Sequence, residues 1–121
     1  MPDLLPVLDA QPLQDLLEMG AEPGLARELI GLLEADAPLR LAALWKALEV
    51  ADLEATLSAA HQLKGALGTL GLKRFADLVR QMEDQLREGH WGDARSLLES
   101  FPAAYEEALE ALLKAFPEAR L

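Results

Sequence analysis

With 121 residues, no cysteine and a formal net charge of −10, the chain is sized for one domain with its own core, and thiol redox chemistry or a disulfide framework is excluded. The 21 acidic against 11 basic residues repel phosphate backbones and anionic lipid, so neither nucleic acid nor membrane is expected as a partner. Leu, Ala, Glu and Arg dominate, β-branched residues are scarce and Asn-Gly and Asp-Gly dipeptides are absent, which predicts an all-α protein.

The opening MPDLLPVLDAQPL lacks the basic start and long apolar run of a signal peptide, and no apolar stretch reaches spanning length, so a cytoplasmic location is expected. A short amphipathic helix is predicted over Pro12 to Met19, with Leu13, Leu16 and Leu17 on one side, interrupted by GAEPG. Pro23 suits the first turn of a long helix running to Glu49, with Leu25, Leu29, Leu32, Leu33, Leu44, Trp45 and Leu48 at three- and four-residue intervals. Pro38 inside it is expected to kink it or divide it in two.

A third helix is predicted over Asp52 to Leu70 and a fourth over Leu72 to Glu88, closed by Gly71 and Gly89 as C-terminal caps. A last helical region, Trp91 to Phe116, carries Pro102 as an expected kink. Four amphipathic helices with short connections predict an antiparallel up-and-down four-helix bundle, with the short first helix covering one end and a single domain over residues 1–121.

The third helix poses a chemical question. Turning it by about 100° per residue from His61 gathers Thr56, Ala59, Leu63, Ala66, Leu67 and Leu70 on the far side, the expected core face. His61 then points outward at mid-helix, with Glu54, Leu57, Ser58, Lys64, Gly65 and Gly68 beside it. Each interior helical glycine costs about 1 kcal/mol relative to alanine, and Gly65 and Gly68 do not serve core packing from the exposed face. They leave a bare strip beside the imidazole, where a large partner can approach closely.

From His61 to Met82 there are four basic residues (Lys64, Lys73, Arg74, Arg80) and one acid, Asp77, so this stretch reads as a positive patch on an acidic chain. Lys64, one turn from His61, is placed to contact an anion attached to it, or else is an ordinary solvated side chain. Pairing the third and fourth helices about Gly71 or Leu72 puts Glu83 level with His61. There it either accepts from Nδ1–H, fixing the tautomer and turning Nε2 outward as a nucleophile, or forms a salt bridge with Arg80 or Arg87.

The run AHQLKGALGTLGLKRFADLVRQME, Ala60 to Glu83, resembles the signature of histidine-containing phosphotransfer (HPt) domains, the relay modules of two-component signalling. His61, Leu63, Lys64, Gly65 and Gly71 match its H-x-L-K-G motif and following glycine, and Glu83 stands at its Gln/Glu position. Ala66 replaces a frequent serine, and a weaker likeness extends back through the preceding helix. The resemblance implies that His61 takes a phosphoryl group at Nε2 from a receiver-domain aspartate or a sensor or hybrid histidine kinase and passes it to a response-regulator receiver. Lys64 would stabilise that group and Glu83 would orient the imidazole. No cofactor of its own is implied, the Mg²⁺ belonging to the receiver's acidic pocket.

Docking is expected at Leu57, Gly65 and Gly68, with Lys73 and Arg74 adding charge; Leu13, Leu16 and Leu17 either join in or simply close the end of the bundle. A monomeric phosphoryl carrier without kinase activity of its own is expected. The rival reading is a helical interaction module without phosphoryl chemistry. A di-metal carboxylate site is disfavoured, because Ser58 and Arg87, not glutamates, precede His61 and His90 by three residues. His90 reads as a loop residue, Trp45, Trp91, Tyr105 and Phe116 as packing aromatics, and Glu106, Glu107 and Glu110 as solvated.

Overall fold

A computed structural model describes residues 5–20 and 24–120. All regular structure among them is helical: α1 (Gln11–Glu18), α2 (Leu25–Glu49), α3 (Leu53–Thr69), α4 (Lys73–Arg87), α5 (Trp91–Glu99) and α6 (Phe101–Ala115), followed by a 3₁₀ turn at Pro117–Arg120. The helix ends fall within a residue or two of those read from the periodicity. Pro23 lies outside the described residues.

Each connection has a local cause. Asp52 caps α3, its carboxylate accepting from the Ala55 N–H at 3.0 Å, an arrangement worth about 1 kcal/mol. Gly71 (φ +75°) ends α3 in a Schellman turn, with Leu72 N–H donating to Leu67 C=O at 2.9 Å and Gly71 N–H to Gly68 C=O at 3.0 Å. Gly89 (φ +80°) repeats the device after α4. Between α2 and α3, Ala51 holds the same left-handed position at φ +54° without glycine's freedom.

The two prolines behave differently. Pro38 does not divide α2, which runs unbroken from Leu25 to Glu49. Its neighbour Ala37 is buried while Glu34 and Pro38 are exposed, so the Glu34 carbonyl deprived of its partner lies on the wet side of the helix, where solvent can take the place of the missing donor. Pro102 sits at the start of α6 and the helical region breaks just before it, at Ser100, whose hydroxyl donates to the Leu97 carbonyl at 2.6 Å. There the proline occupies the first turn, where it costs no hydrogen bond.

Helices α2, α3, α4 and the α5–α6 pair close into a ring, each packing on the next and α6 returning to α2, with α1 against α2. The core runs through Ile30, Leu33 and Leu44 of α2, Leu63 and Leu67 of α3, and Phe75, Val79 and Met82 of α4. Leu98 and Leu112 complete it, and Phe75 meets Phe101 edge to face at 5.4 Å between ring centres. On α3 the fully buried positions are Thr56, Ala60, Leu63 and Leu67. Ala59 and Ala66, expected in that face, are only half-buried, so the core stripe is turned slightly toward α4.

Residues 5–10 lie across the α3–α4 turn. Asp9 N–H donates to Gly71 C=O at 2.8 Å, Arg74 N–H to Pro6 C=O at 3.1 Å, and the Arg74 Nε to Leu5 C=O at 2.9 Å. Gly71 is buried beneath this strap, with the Asp9 carbonyl oxygen where a side chain would begin. Leu13 is fully buried and Leu17 half-buried, whereas Leu16 stays 40% exposed; α1 thus seals the bundle mainly through Leu13.

Candidate functional site: an open histidine beside a buried ion pair

His61 stands in the middle of α3 with its side chain in solvent, while the two residues flanking it in space, Leu57 and Lys64, are half-buried. Gly65 and Gly68 lie on the same exposed face, and a Cβ added at either meets nothing within 4 Å among the described residues. Both have ordinary helical backbone, since the positive-φ glycines are Gly20, Gly24, Gly71 and Gly89. Neither backbone geometry nor internal packing therefore calls for glycine at 65 or 68.

Behind the histidine the arrangement differs from the one expected. Glu83, placed by the sequence at the margin of the α4 stripe, is 1% exposed. Its Oε1 accepts from Lys64 Nζ at 2.6 Å. Its Oε2 has no hydrogen-bond partner among the described residues, with Arg87 Nη2 at 3.8 Å. Neither ring nitrogen of His61 pairs with it. The carboxylate thus reaches the lysine one turn along, and Arg80 bonds Asp77 and Asp84 instead of Glu83.

Side-chain direction explains the difference. Helical side chains lean toward the N-terminus of their own helix, so on antiparallel α3 and α4 Glu83 leans toward the connecting turn and Lys64 leans away from it. The two meet between their own backbone levels. The His61 ring leans farther from the turn, out of reach of Glu83.

The positive patch counted along the sequence is also largely neutralised in space. Lys64 pairs with Glu83, Lys73 with Asp9 at 3.3 Å, Arg74 with Glu107 at 3.4 Å, and Arg80 with Asp77 at 2.9 Å and Asp84 at 2.8 Å. Lys73 and Arg74, expected as docking charges, are tied to the N-terminal strap and to α6. The Gln11 backbone N–H and Lys73 hold the Asp9 carboxyl below the usual carboxylate range. Gln81, then Arg80, does the same for Asp77. Burial raises the Tyr105 hydroxyl, remote from His61 in sequence.

Two features on the α2 side of α3 escaped the sequence reading. Arg40 of α2 donates to Gln62 Oε1 at 3.2 Å while paired with Asp36. An apolar groove of about 180 Å³ runs between α2 and α3, lined by Leu29, Leu32, Leu33, Ala37, Leu63 and Ala66 among others. The available signal was Leu32, which belongs to the apolar periodicity of α2, lines the groove and is 58% exposed.

His90 is the N-cap residue of α5, with Nδ1 2.9 Å from Gln85 Oε1 and 3.3 Å from Glu88 Oε2. Trp45, Trp91 and Tyr105 are half-buried, Phe116 is buried, and Arg95 lies 5.3 Å over the Trp45 ring. Glu106, Glu107 and Glu110 are exposed. Among the described residues no three His, Asp or Glu side chains converge as a metal site, and no helix is long and apolar enough to cross a membrane.

No curated protein and no solved structure matches the chain. The family model described as Hpt domain matches residues 28–116, from the first turn of α2 to the end of the bundle, with His61, Lys64 and Glu83 inside the span and α1 and the strap before it. The chain belongs to the Hpt domain family, whose activity is histidine phosphotransfer in two-component systems.

Proposed function

We propose that the chain is a phosphorelay intermediate with His61 as its phosphoryl-carrying residue. The Nε2 lone pair attacks the phosphorus of a receiver's aspartyl phosphate, or of a phosphohistidine on a histidine kinase. The N–P bond forms as the bond to the donor breaks, the donor departs as its carboxylate or imidazole, and the Nδ1 proton stays on the ring. Transfer to a second receiver runs the same step in reverse. Little covalent machinery is required, because such transfers are governed by positioning and charge stabilisation, and the receiver supplies the Mg²⁺.

The observation that carries this reading is the open strip at Gly65 and Gly68 next to an exposed mid-helix imidazole. The reacting phosphorus sits in the partner's pocket, so the pocket wall must come within bonding distance of α3, and any side chain there would hold it off. Leu57 adds apolar contact, and Lys64 brings its ammonium to the phosphoryl group. Lys73 and Arg74, already engaged, have a lesser part in docking. The protein acts as a cytoplasmic monomer between a kinase and its receivers.

The test is incubation with radiolabelled phosphoreceiver domains. Acid-labile label moving to this protein, and from it to a second receiver, supports the relay. A protein that binds receivers yet stays unlabelled is an interaction module.

A further inference from the structure

We infer that Glu83 is a positioning residue that acts on the phosphoryl group through Lys64, holding the ammonium in place and tempering its charge, so that the phosphohistidine remains a ready donor. This inference rests on the relay reading above. The sequence suggested a different task for Glu83, orientation of the imidazole, and the contacts on the page favour the lysine.

Glu83 is 1% exposed, its Oε1 is held at 2.6 Å by Lys64, and its Oε2 has no hydrogen-bond partner among the described residues. Among the described residues the one other cation within 4 Å of it is Arg87, at 3.8 Å and 58% exposed, too long for a hydrogen bond. Lys64 is therefore the main compensation for a buried carboxylate, and a buried charge left without its partner is strongly unfavourable. When a dianionic phosphoryl group forms one turn away, Lys64 does not leave Glu83 to meet it.

The ammonium has three donors and needs only one for Oε1. With 33% of the side chain exposed, it serves the phosphoryl oxygens with another while still bound. Two consequences follow. The lysine is confined, so less rotamer freedom is lost when the phosphoryl group arrives. Its positive charge is shared with a carboxylate, so it stabilises phosphohistidine less than an unpaired lysine would. A carrier that must hand its phosphoryl group on gains from that restraint, because uniform tight binding of the intermediate would slow its release.

Glutamine is the discriminating substitution. Glu83→Gln keeps the side chain's shape and its acceptor oxygen, so an imidazole-orienting role survives it, whereas the charge on Lys64 is no longer shared. The assay uses phosphoramidate as donor with ammonia present, so that the reaction reaches equilibrium: the donor P–N bond breaks, the Nε2–P bond forms and ammonia leaves. The quantity read is the ratio of phosphorylated to unphosphorylated His61.

Glu83→Gln should raise that ratio by about tenfold at low ionic strength, given the strength of charge interactions near a protein surface, and the rise should disappear in a Lys64→Met background. Circular dichroism confirms that each variant is folded, with Lys64→Gln taking the place of Lys64→Met if the latter is not. A ratio unchanged by Glu83→Gln, or a rise that persists without Lys64, overturns the inference and leaves the relay standing. Wild-type protein that takes no label on His61 removes both.

Discussion

Replacing Gly65 and Gly68 with alanine should make the free protein more stable, and larger residues there should make it a poorer relay. A glycine inside an exposed helix costs about 1 kcal/mol against alanine. Neither position has positive φ, and an added Cβ meets nothing within 4 Å among the described residues, so strain and overlap do not offset the gain. Gly65 lies well inside α3 and should yield most of it. Gly68 stands next to the last helical residue, Thr69, and should yield about half, because fraying already weakens the final turn.

The double variant should therefore gain about 1.5 kcal/mol, raising the midpoint of thermal unfolding by about 5 °C for a domain of this size. Denaturant titration measures the first quantity and calorimetry the second. Gly65→Gln should retain near wild-type stability while slowing transfer from a phosphorylated receiver. A lower midpoint for the alanine variants would mean that the strip is needed for folding, and wild-type transfer by Gly65→Gln would mean that no partner approaches it closely; either result refutes the reasoning.

Gly71→Ala should behave in the opposite way: it places a side chain at φ +75° and drives it into the Asp9 carbonyl oxygen, costing about 3 kcal/mol. Hydrogen exchange should show lost protection at the Asp9 and Arg74 amides as the strap lifts. Lys64→Met strands the buried Glu83 carboxylate and should lower stability by about 2 kcal/mol in denaturant titration, with Lys64→Met/Glu83→Gln recovering most of the loss. Asp77, its carboxyl held below the usual carboxylate range by Gln81 and Arg80, contributes stability that is fully present above the ordinary aspartate range. The contribution is lost as pH falls through the lowered value, and Asp77→Asn should remove that part of the acid slope, worth under about 1 kcal/mol at such a surface position.

The helices and the exposure of His61 were readable because both follow from one-dimensional periodicity. Apolar spacing fixes which face turns inward, and two glycines in left-handed turns fix where α3 and α4 end. Pro38 shows where that reading thins: a proline's effect depends on whether its orphaned carbonyl meets water, which is a matter of orientation in the bundle. Glu83 shows a second gap. Equal heights about the turn paired it with His61, but side chains lean along their helices, and the lean carries it to Lys64. The positive patch was lost for a related reason, since a charge count along the chain omits Asp9, Glu107 and Glu83, which arrive from other segments or just beyond the counted run.

The central claim is that His61 carries the phosphoryl group, and direct mapping of the phosphorylated atom tests it. After transfer from a phosphorylated receiver, heteronuclear phosphorus–proton NMR at neutral pH should place the group on Nε2 of His61, and His61→Gln should stay folded and take up none. A group found instead on His90, whose Nδ1 is already engaged by Gln85 and Glu88, or label retained by His61→Gln, would contradict the account.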